Sequence, residues 1–558
     1  MAVILNDQFT SVFTRENTRD IPVPENIFNR NEDCKLTTYD ITDDDIAKCI
    51  DKLKIHKSPG PDKISPRVIK KLKDHLIKPL KIIFNTSLTT GQVPAKWKLA
   101  NVTPIFKKKG MKKLACNYRP ISLTSIVGKL METILRDQIV KHLEAYNLIK
   151  DSQHGFRRGR SCLTNLLYFY EEVHLILDHE KPVDIIYLDF EKAFDKVPHK
   201  RLIAKLKSHG INGNVKDWIE DWLRNRKQRV VLNGKESPWT DVCSGVPQGS
   251  VLGPILFTIY INDLDSDLIS KVSKFADDTK LGYACKSEEE CNIIQQDLDK
   301  IVKWSETWQM SFNVDKCKVM HVGKRNGNHQ YIMNNQVLQA VDEEKDLGVI
   351  FTKDMKSSKQ CTAARNKANR VLGLINRTLT YKNETNIKNL YKALVRPHLE
   401  YAVQAWAPSL SKDIDRLEGV QKRATKLIPT VRNKIYEDRL RETKLFSLSH
   451  RRARGDLIQV YKIFNRLDNV DLEPLIELSQ TGLRSNGLKI VQRGSIHDLQ
   501  FRKGTFQRRV PKIWNKLPNQ VVGAENLKAF KKALDRHQPN GPPEAGAIRP
   551  HPQLMDRN

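Results

Sequence analysis

Two strand-forming runs, Val272-Ser273-Lys274-Phe275 and Thr279-Lys280-Leu281-Gly282, are separated only by Ala276-Asp277-Asp278. β-favouring residues on both sides of so short a polar interval predict a tight hairpin. The hairpin commits this part of the chain to an antiparallel sheet, and it sets two carboxylates side by side. Neighbouring carboxylates repel unless a positive charge sits on them. A divalent ion that prefers hard oxygen ligands, such as Mg²⁺, is a natural partner. Taken alone, an Asp-Asp turn in solvent is the simpler reading. The metal reading needs a further carboxylate, a nucleotide pocket and a basic track.

The further carboxylate is Asp189. It ends the segment Val183-Asp184-Ile185-Ile186-Tyr187-Leu188, whose continuous apolar run marks a strand buried on both faces. An acid there is costly unless paired or metal-bound, although a strand-end cap is a fair reading of any single Asp. If this strand neighbours the hairpin, Asp189, Asp277 and Asp278 converge. Converging carboxylates can hold two Mg²⁺ ions about 3.5–4 Å apart, with Mn²⁺ as a substitute, the arrangement used in phosphoryl transfer. Ser244-Gly245-Val246-Pro247-Gln248-Gly249-Ser250 is a glycine-rich loop leading into an apolar helix, and glycines let backbone approach a ligand. Gln248 and Gly249 would wall the sugar and base. Lys107 and Arg119 lie on two basic extended segments and could offer charge for phosphates, although a solvated loop is the more usual reading of such a Lys cluster.

Charge supplies the track. The 558 residues carry 95 Lys and Arg against 65 Asp and Glu, a net +30. Such an excess favours a polyanion, either nucleic acid or an anionic membrane. No apolar run approaches the roughly 20 residues of a membrane span, so nucleic acid leads. His154-Gly155-Phe156-Arg157-Arg158-Gly159-Arg160 reads evenly as a loop tracking a nucleic-acid backbone through Arg157, Arg158 and Arg160, or as a basic surface loop. Within 421–466, thirteen Lys or Arg face four Asp or Glu, which fits a duplex-gripping helical face. Nine cysteines without C-x-x-C or Cys/His knuckle spacing read as reduced thiols of an intracellular protein with no structural zinc.

The organisation expected is α+β. Residues 1–40 are an N-terminal extension, partly disordered. Thr42 caps a helix that starts among acids, and Lys57-Ser58-Pro59-Gly60-Pro61-Asp62 forces a loop. Strands are expected over 311–322 and 346–351, and helices over 361–374, 387–399 and 414–427. Residues 441–537 form an accessory region holding Trp514 and a helix with Leu527, Phe530 and Leu534, and 538–558 a disordered tail.

Seven segments occur in one order: Lys57 to Asp62; Asn117-Tyr118-Arg119-Pro120-Ile121-Ser122-Leu123; His154-Gly155-Phe156-Arg157; Leu188-Asp189-Phe190-Glu191-Lys192-Ala193-Phe194-Asp195; Gly245 to Pro254; Phe275-Ala276-Asp277-Asp278; and Leu347-Gly348-Val349. The chain resembles the reverse transcriptases of non-LTR (LINE-type) retrotransposons, jockey and CR1-like. That resemblance implies a right-hand polymerase. Fingers and a palm with an antiparallel sheet span 41–352, a helical basic thumb spans 353–440, and the region beyond is mostly helical. It implies Asp189, Asp277 and Asp278 as metal-binding catalytic residues, and Phe194 as an aromatic gate where a 2′-hydroxyl would sit. Phe190, Gln248 and Gly249 are placed beside the nucleotide, with Lys107 and Arg119 near its phosphates. The implied partners are an RNA template, a DNA primer or target and dNTPs. The implied place of action is the nucleus, with the cytoplasm as a second site. The acidic box opens with Phe275 where many relatives have Tyr. Full elements carry an endonuclease upstream, and only about fifty residues precede the first motif here, so a shortened copy or fragment is expected. A non-catalytic nucleic-acid-binding relic and a maturase of the group II intron type are the alternatives. An RNA-polymerising enzyme is a further one, and Phe194 speaks against it.

Overall fold

The computed structural model describes residues 1–108, 110–470, 476–477, 489–491 and 504–537. The tail expected to be disordered, 538–558, lies outside them.

Strands supply the framework. In chain order they are β1 (Leu99–Phe106), β2 (Tyr118–Leu123), β3 (Val183–Leu188), β4 (Arg226–Leu232), β5 (Lys235–Glu236), β6 (Thr240–Val242) and β7 (Lys271–Phe275). They continue as β8 (Asp278–Ala284), β9 (Lys318–Val322), β10 (Ile332–Met333), β11 (Gln336–Val337), β12 (Gln339–Ala340), β13 (Glu343–Asp346) and β14 (Val349–Thr352). One sheet runs β2-β1-β4-β5 with β6 also on β4; a second runs β12-β9-β3-β8-β7. In the second, β3 is central and antiparallel to both β8 and β9, and only the two-residue β12 adds a parallel edge.

The apolar run of β3 follows from this position. Successive strand side chains point to opposite faces. Ile186 and Leu188 join Leu281, Val319 and Phe257 in the largest core. Val183 and Ile185 join Met320 and Val322 in another, with residues of the helices Cys162–Asp178, Ser358–Thr378 and Ser411–Lys426. A strand covered on both faces has no place for polar alternation. A third core joins Tyr461, Trp514, Phe530 and Leu534 to Leu167 of the helix Cys162–Asp178. The β13–β14 hairpin adds Val349 and Phe351 to the second core and is pinned to β8 by a buried ion pair between Lys280 and Asp346.

The helix Asp43–Asp51 is closed by a capping box between Thr42 and Asp45, as its opening residues predict. Residues 1–40 hold more order than their composition suggests. The helix Ala2–Thr10 lays Leu5 and Phe9 on Val102 of β1 and Val230 of β4, and Phe28 is buried against Gly210. These contacts are all long-range, so the short polar segment carries no local sign of them. The strand expected over 311–322 begins only at Lys318, after a 3₁₀ turn at Val314–Lys316. The strand expected over 346–351 is a hairpin, because Leu347 and Gly348 both take left-handed backbone angles, φ 43° and 89°. The helix expected over 387–399 breaks into Glu384–Leu390, a π turn at Tyr391–Val395 and Pro397–Glu400. Pro397 has no N–H with which to continue the ladder. No helix among the described residues is long and apolar enough to cross a membrane.

Candidate active site

Phe275 pairs with Asp278, so β7 and β8 are joined by the two residues Ala276 and Asp277 alone. Ala276 takes φ +55°, a left-handed angle that a small residue tolerates best. A neighbouring segment holds the turn in this shape. Gln153 Oε1 accepts the N–H of Ala276 at 3.0 Å and that of Gly155 at 2.8 Å. Lys274 N–H donates to the Ser152 carbonyl, and His154 N–H to the Lys274 carbonyl, both at 2.8 Å. Continuing the β3–β8 register one step past Leu188↔Thr279 sets Asp189 opposite Asp278. Facing antiparallel residues have Cα atoms about 4.5–5.5 Å apart. The three acids therefore gather at one end of the second sheet.

Their electrostatics follow from that crowding. Burial and the charge of Asp189 push the Asp277 carboxyl above its ordinary range. Asp278 is the most open of the three, yet its surroundings and the charges of Asp277, Asp346 and Asp189 push it up to about 6. Lys316 Nζ lies 3.1 Å from Asp189 Oδ1, an ammonium standing where a cation is wanted. The donor set is carboxylate oxygen, which suits Mg²⁺ or Mn²⁺ rather than a softer ion. The residues thus fit a hard divalent ion.

Cations face the acids. Burial and repulsion from Lys192, Lys316 and Arg119 depress Lys107 to about 8. Arg119 lies opposite Ile105 across the β1–β2 pair and is exposed. A group of positive charges that repel one another is an anion site in waiting. Sequence alone gives no role to Lys192 or Lys316. Lys192 stands inside the Asp189-to-Asp195 string, at φ +51°. The position of Lys316 within its own segment gives no hint of its partner, Asp189.

The Gln248 loop is stitched between β2 and the turn after β3. Ser122 N–H donates to the Gln248 carbonyl and Val246 N–H to that of Phe194, both at 2.7 Å. A Cβ at Gly245 would stand 2.6 Å from the Phe194 carbonyl oxygen, and one at Gly249 2.7 Å from that of Ser122. Glu132, buried, accepts the Val251 N–H at 2.7 Å and supports the loop from below. Gln248 Nε2 donates to the Asp195 carboxylate at 3.3 and 3.4 Å, which orients the amide. The Phe194 ring stacks on Phe257 at 4.6 Å and is half-buried. Phe190 is placed differently from its neighbours. It is 4% exposed and stacked on Phe312, so its ring is part of the core and not a face open to a nucleotide.

The arginine loop divides. Arg158 is exposed. Arg157 donates to the Lys150 carbonyl at 2.8 Å and lies 3.6 Å from Asp151. Arg160 turns inward, its side chain 3% exposed and paired with the Asp151 carboxylate. Two of the three arginines therefore fold the loop, and Arg158 alone is free to reach outward.

Known proteins resemble this part of the chain. Residues 106–374 match a family model described as Reverse transcriptase (RNA-dependent DNA polymerase). Over these residues the chain is similar to reverse transcriptases. The acids, the cations, Phe194, Gln248 and the Gln153 segment that holds the turn all lie within these residues. The chain is 26% identical over 394 residues to the probable RNA-directed DNA polymerase from transposon X-element of Drosophila melanogaster, covering 69% of this chain and 43% of that protein. It is 26% identical over 407 residues to the RNA-directed DNA polymerase from mobile element jockey of the same species, covering 70% and 44%. The jockey protein of Drosophila funebris is 27% identical over 396 residues, covering 68% and 43%. The resemblance to non-LTR retrotransposon reverse transcriptases holds, and the chain spans less than half the length of these relatives.

The packing around the acidic turn has a sharp steric test. A Cβ at Gly155 would stand 2.5 Å from the Ala276 nitrogen, so Gly155→Ala must displace the acidic turn. Thermal unfolding is expected to show a loss of about 1–3 kcal/mol, as for other overpacked sites. Gly327→Ala, with nothing within 4 Å, is the control and is expected to leave the melting temperature in place. Equal melting curves for the two variants would refute the contact.

Proposed function

We propose that this chain is an RNA-directed DNA polymerase that extends a primer 3′-hydroxyl with dNTPs on an RNA template. The observation that carries the reading is the meeting of Asp189, Asp277 and Asp278 at one sheet end, facing Lys107, Arg119, Lys192 and Lys316. In this reading the second sheet is the palm, the first sheet with the N-terminal helices belongs to the fingers, and 353–440 is the thumb. Residues 441–537 are an accessory region. The basic stretch 421–466 grips the template–primer duplex through its phosphates. Priming from a nicked chromosomal end would place the reaction in the nucleus.

Two divalent ions held by Asp189, Asp277 and Asp278 would supply charge neutralisation and an activated 3′-oxygen. The chain's own residues do the rest. Arg119, Lys107 and Lys192 bind the triphosphate and orient it. The Gln248 loop, fixed by Asp195 and Ser122, walls the nucleotide. Phe194, held by Phe257, fills the space a 2′-hydroxyl would need. The test is extension of oligo(dT) on poly(rA) with dTTP and Mg²⁺. Product at a rate above that of a triad-deficient variant is expected, and its absence across template and salt conditions would sink the proposal.

Phe194→Val is expected to lower discrimination against ribonucleotides by about 10–100-fold, the range set by one changed apolar contact in a pocket. The measurement is the ratio of kcat/KM for dTTP and UTP. An unchanged ratio would remove Phe194 from the gate.

A further inference from the structure

The other end of the same sheet gathers a second set of metal-ligating side chains. Asp184, Cys285 and Cys291 are buried, and one ligand atom from each lies within 4.8 Å of the others. They come from β3, from the residue after β8, and from the first turn of the helix Glu288–Thr307. On β9, His321 pairs with Asp184 in register, and its Nδ1 lies 2.7 Å from Asp184 Oδ1. Asn326 Nδ2 donates to the same oxygen at 2.8 Å and to Cys285 Sγ at 3.4 Å. Tyr331 Oη donates to Asp184 Oδ2 at 2.7 Å.

A carboxylate with no exposure at all is held here as an ion. Burial would push Asp184 up, but hydrogen bonds from His321, Asn326 and Tyr331 bring it below its ordinary range. Burial, with Asp184 beside it, drives the Cys285 thiol far up, and burial raises Cys291 as well. Two thiols and a carboxylate form a mixed sulfur and oxygen set, and an imidazole bonded to the carboxylate holds it in place. That set suits Zn²⁺, whose structural sites are four-coordinate and buried. Hard ions such as Mg²⁺ do not select thiolate ligands. The expectation of no structural zinc rested on spacing. Five residues separate Cys285 from Cys291, and Asp184 and His321 reach them only through the sheet.

We propose that Asp184, Cys285 and Cys291 bind a zinc ion, with His321 of β9 orienting the Asp184 carboxylate, and that the ion staples β3 to the end of β8 and the helix that follows, at the end of the sheet away from the acids. Binding would replace both thiol protons: Zn²⁺ and two neutral thiols give a zinc dithiolate and two released protons, with Asp184 already ionised. Apparent affinity then rises about a hundredfold per pH unit while the thiols remain protonated in the empty site. The ion would join the β8-to-helix corner to the central strand, and so stabilise the sheet on which Asp189 and Asp278 depend.

The experiment uses the purified full chain, stripped with a chelator under reducing conditions and kept in excess Mg²⁺ to saturate the acids. Titration with Co²⁺ is expected to release two protons and give thiolate-to-cobalt charge-transfer absorption in the near ultraviolet, which one equivalent of Zn²⁺ then abolishes with no further proton release. Zn²⁺ is expected to protect Cys285 and Cys291 from alkylation, read by mass spectrometry, and to leave the exposed Cys243 reactive. Cys285→Ser is expected to weaken Zn²⁺ at least a hundredfold, and Cys243→Ser to leave it unchanged. Wild-type chain without the absorption and without protection overturns the proposal, whether or not the serine variants fold. A Cys285–Cys291 disulfide in freshly isolated protein overturns it too.

Discussion

The double substitution Asp277→Ala, Asp278→Ala is expected to abolish primer extension, by a factor of at least about 10³, and to leave the protein no less stable. The two halves have one cause. The acids crowd against Asp189 and against each other, which is why Asp277 is raised and Asp278 reaches about 6. Ions bound there lower the barrier to phosphoryl transfer, and a site without them lacks most of its catalytic charge. Without ions the same carboxylates only repel. A folded-state value above the unfolded one near 3.9 means that ionisation opposes folding. That opposition is fully present above about pH 6 and fades as pH falls through the interval down to about 4. In a metal-free buffer the variant is therefore expected to melt at a higher temperature than the wild type at pH 8, and the gap to close by pH 4. Extension and melting curves over that range measure both. Retained polymerisation would remove these acids from the chemistry. A variant that melts lower at pH 8 would mean that the turn needs them for structure.

Asp346→Asn is expected to cost about 3–5 kcal/mol, the penalty for leaving one member of a buried ion pair alone. Lys280 is buried and its ammonium bonds to Asp346 and, at 2.8 Å, to Asn165 Oδ1. The rings of Phe169 and Tyr170 lie 5.0 Å from it, and Tyr170 Oη donates to Asp346 at 3.0 Å. Burial already depresses the Lys280 pKa, and Asp346 is the chief charge opposing that. With an amide there, Lys280 must lose its proton or remain as an uncompensated charge. Adding Lys280→Met to Asp346→Asn removes that charge and is expected to recover more than half of the loss. Urea unfolding of the three variants gives the comparison, and a loss below about 1 kcal/mol for Asp346→Asn alone would show that water solvates the pair.

The sequence disclosed what it encodes locally. Asp189 at the end of an apolar run, the acids between two strand-forming runs and the glycines of the Gln248 loop each carry their signal within about ten neighbouring residues. The family resemblance set them in order. What stayed hidden depends on partners far along the chain. Lys316 meets Asp189 across 127 positions, and Gln153 meets Ala276 across 123. Arg160 looked like an outward cation until Asp151, nine residues earlier, turned it inward. Phe190 lies in the same string as Phe194, yet Phe190 bridges to Phe312 and stacks on it, while Phe194 has entered the short helix Ala193–Lys196 and turns its ring to Phe257. Residue type announces a charge or a ring, and only tertiary pairing decides what it faces.

The central place of β3 bears on how the protein is made. Its partners β8 and β9 are encoded later, so Leu188 leaves the ribosome roughly ninety residues before Thr279 can pair with it. At about 5–20 residues per second, an apolar strand with two open edges waits for roughly 5–20 s. Such a strand is a template for aggregation. Slower initiation, lower temperature or a chaperone that shields Val183–Leu188 should raise the soluble yield more than any change at the surface. The same delay keeps a nascent chain inert, because no cluster of carboxylates exists until the hairpin has been synthesised and has docked beside β3.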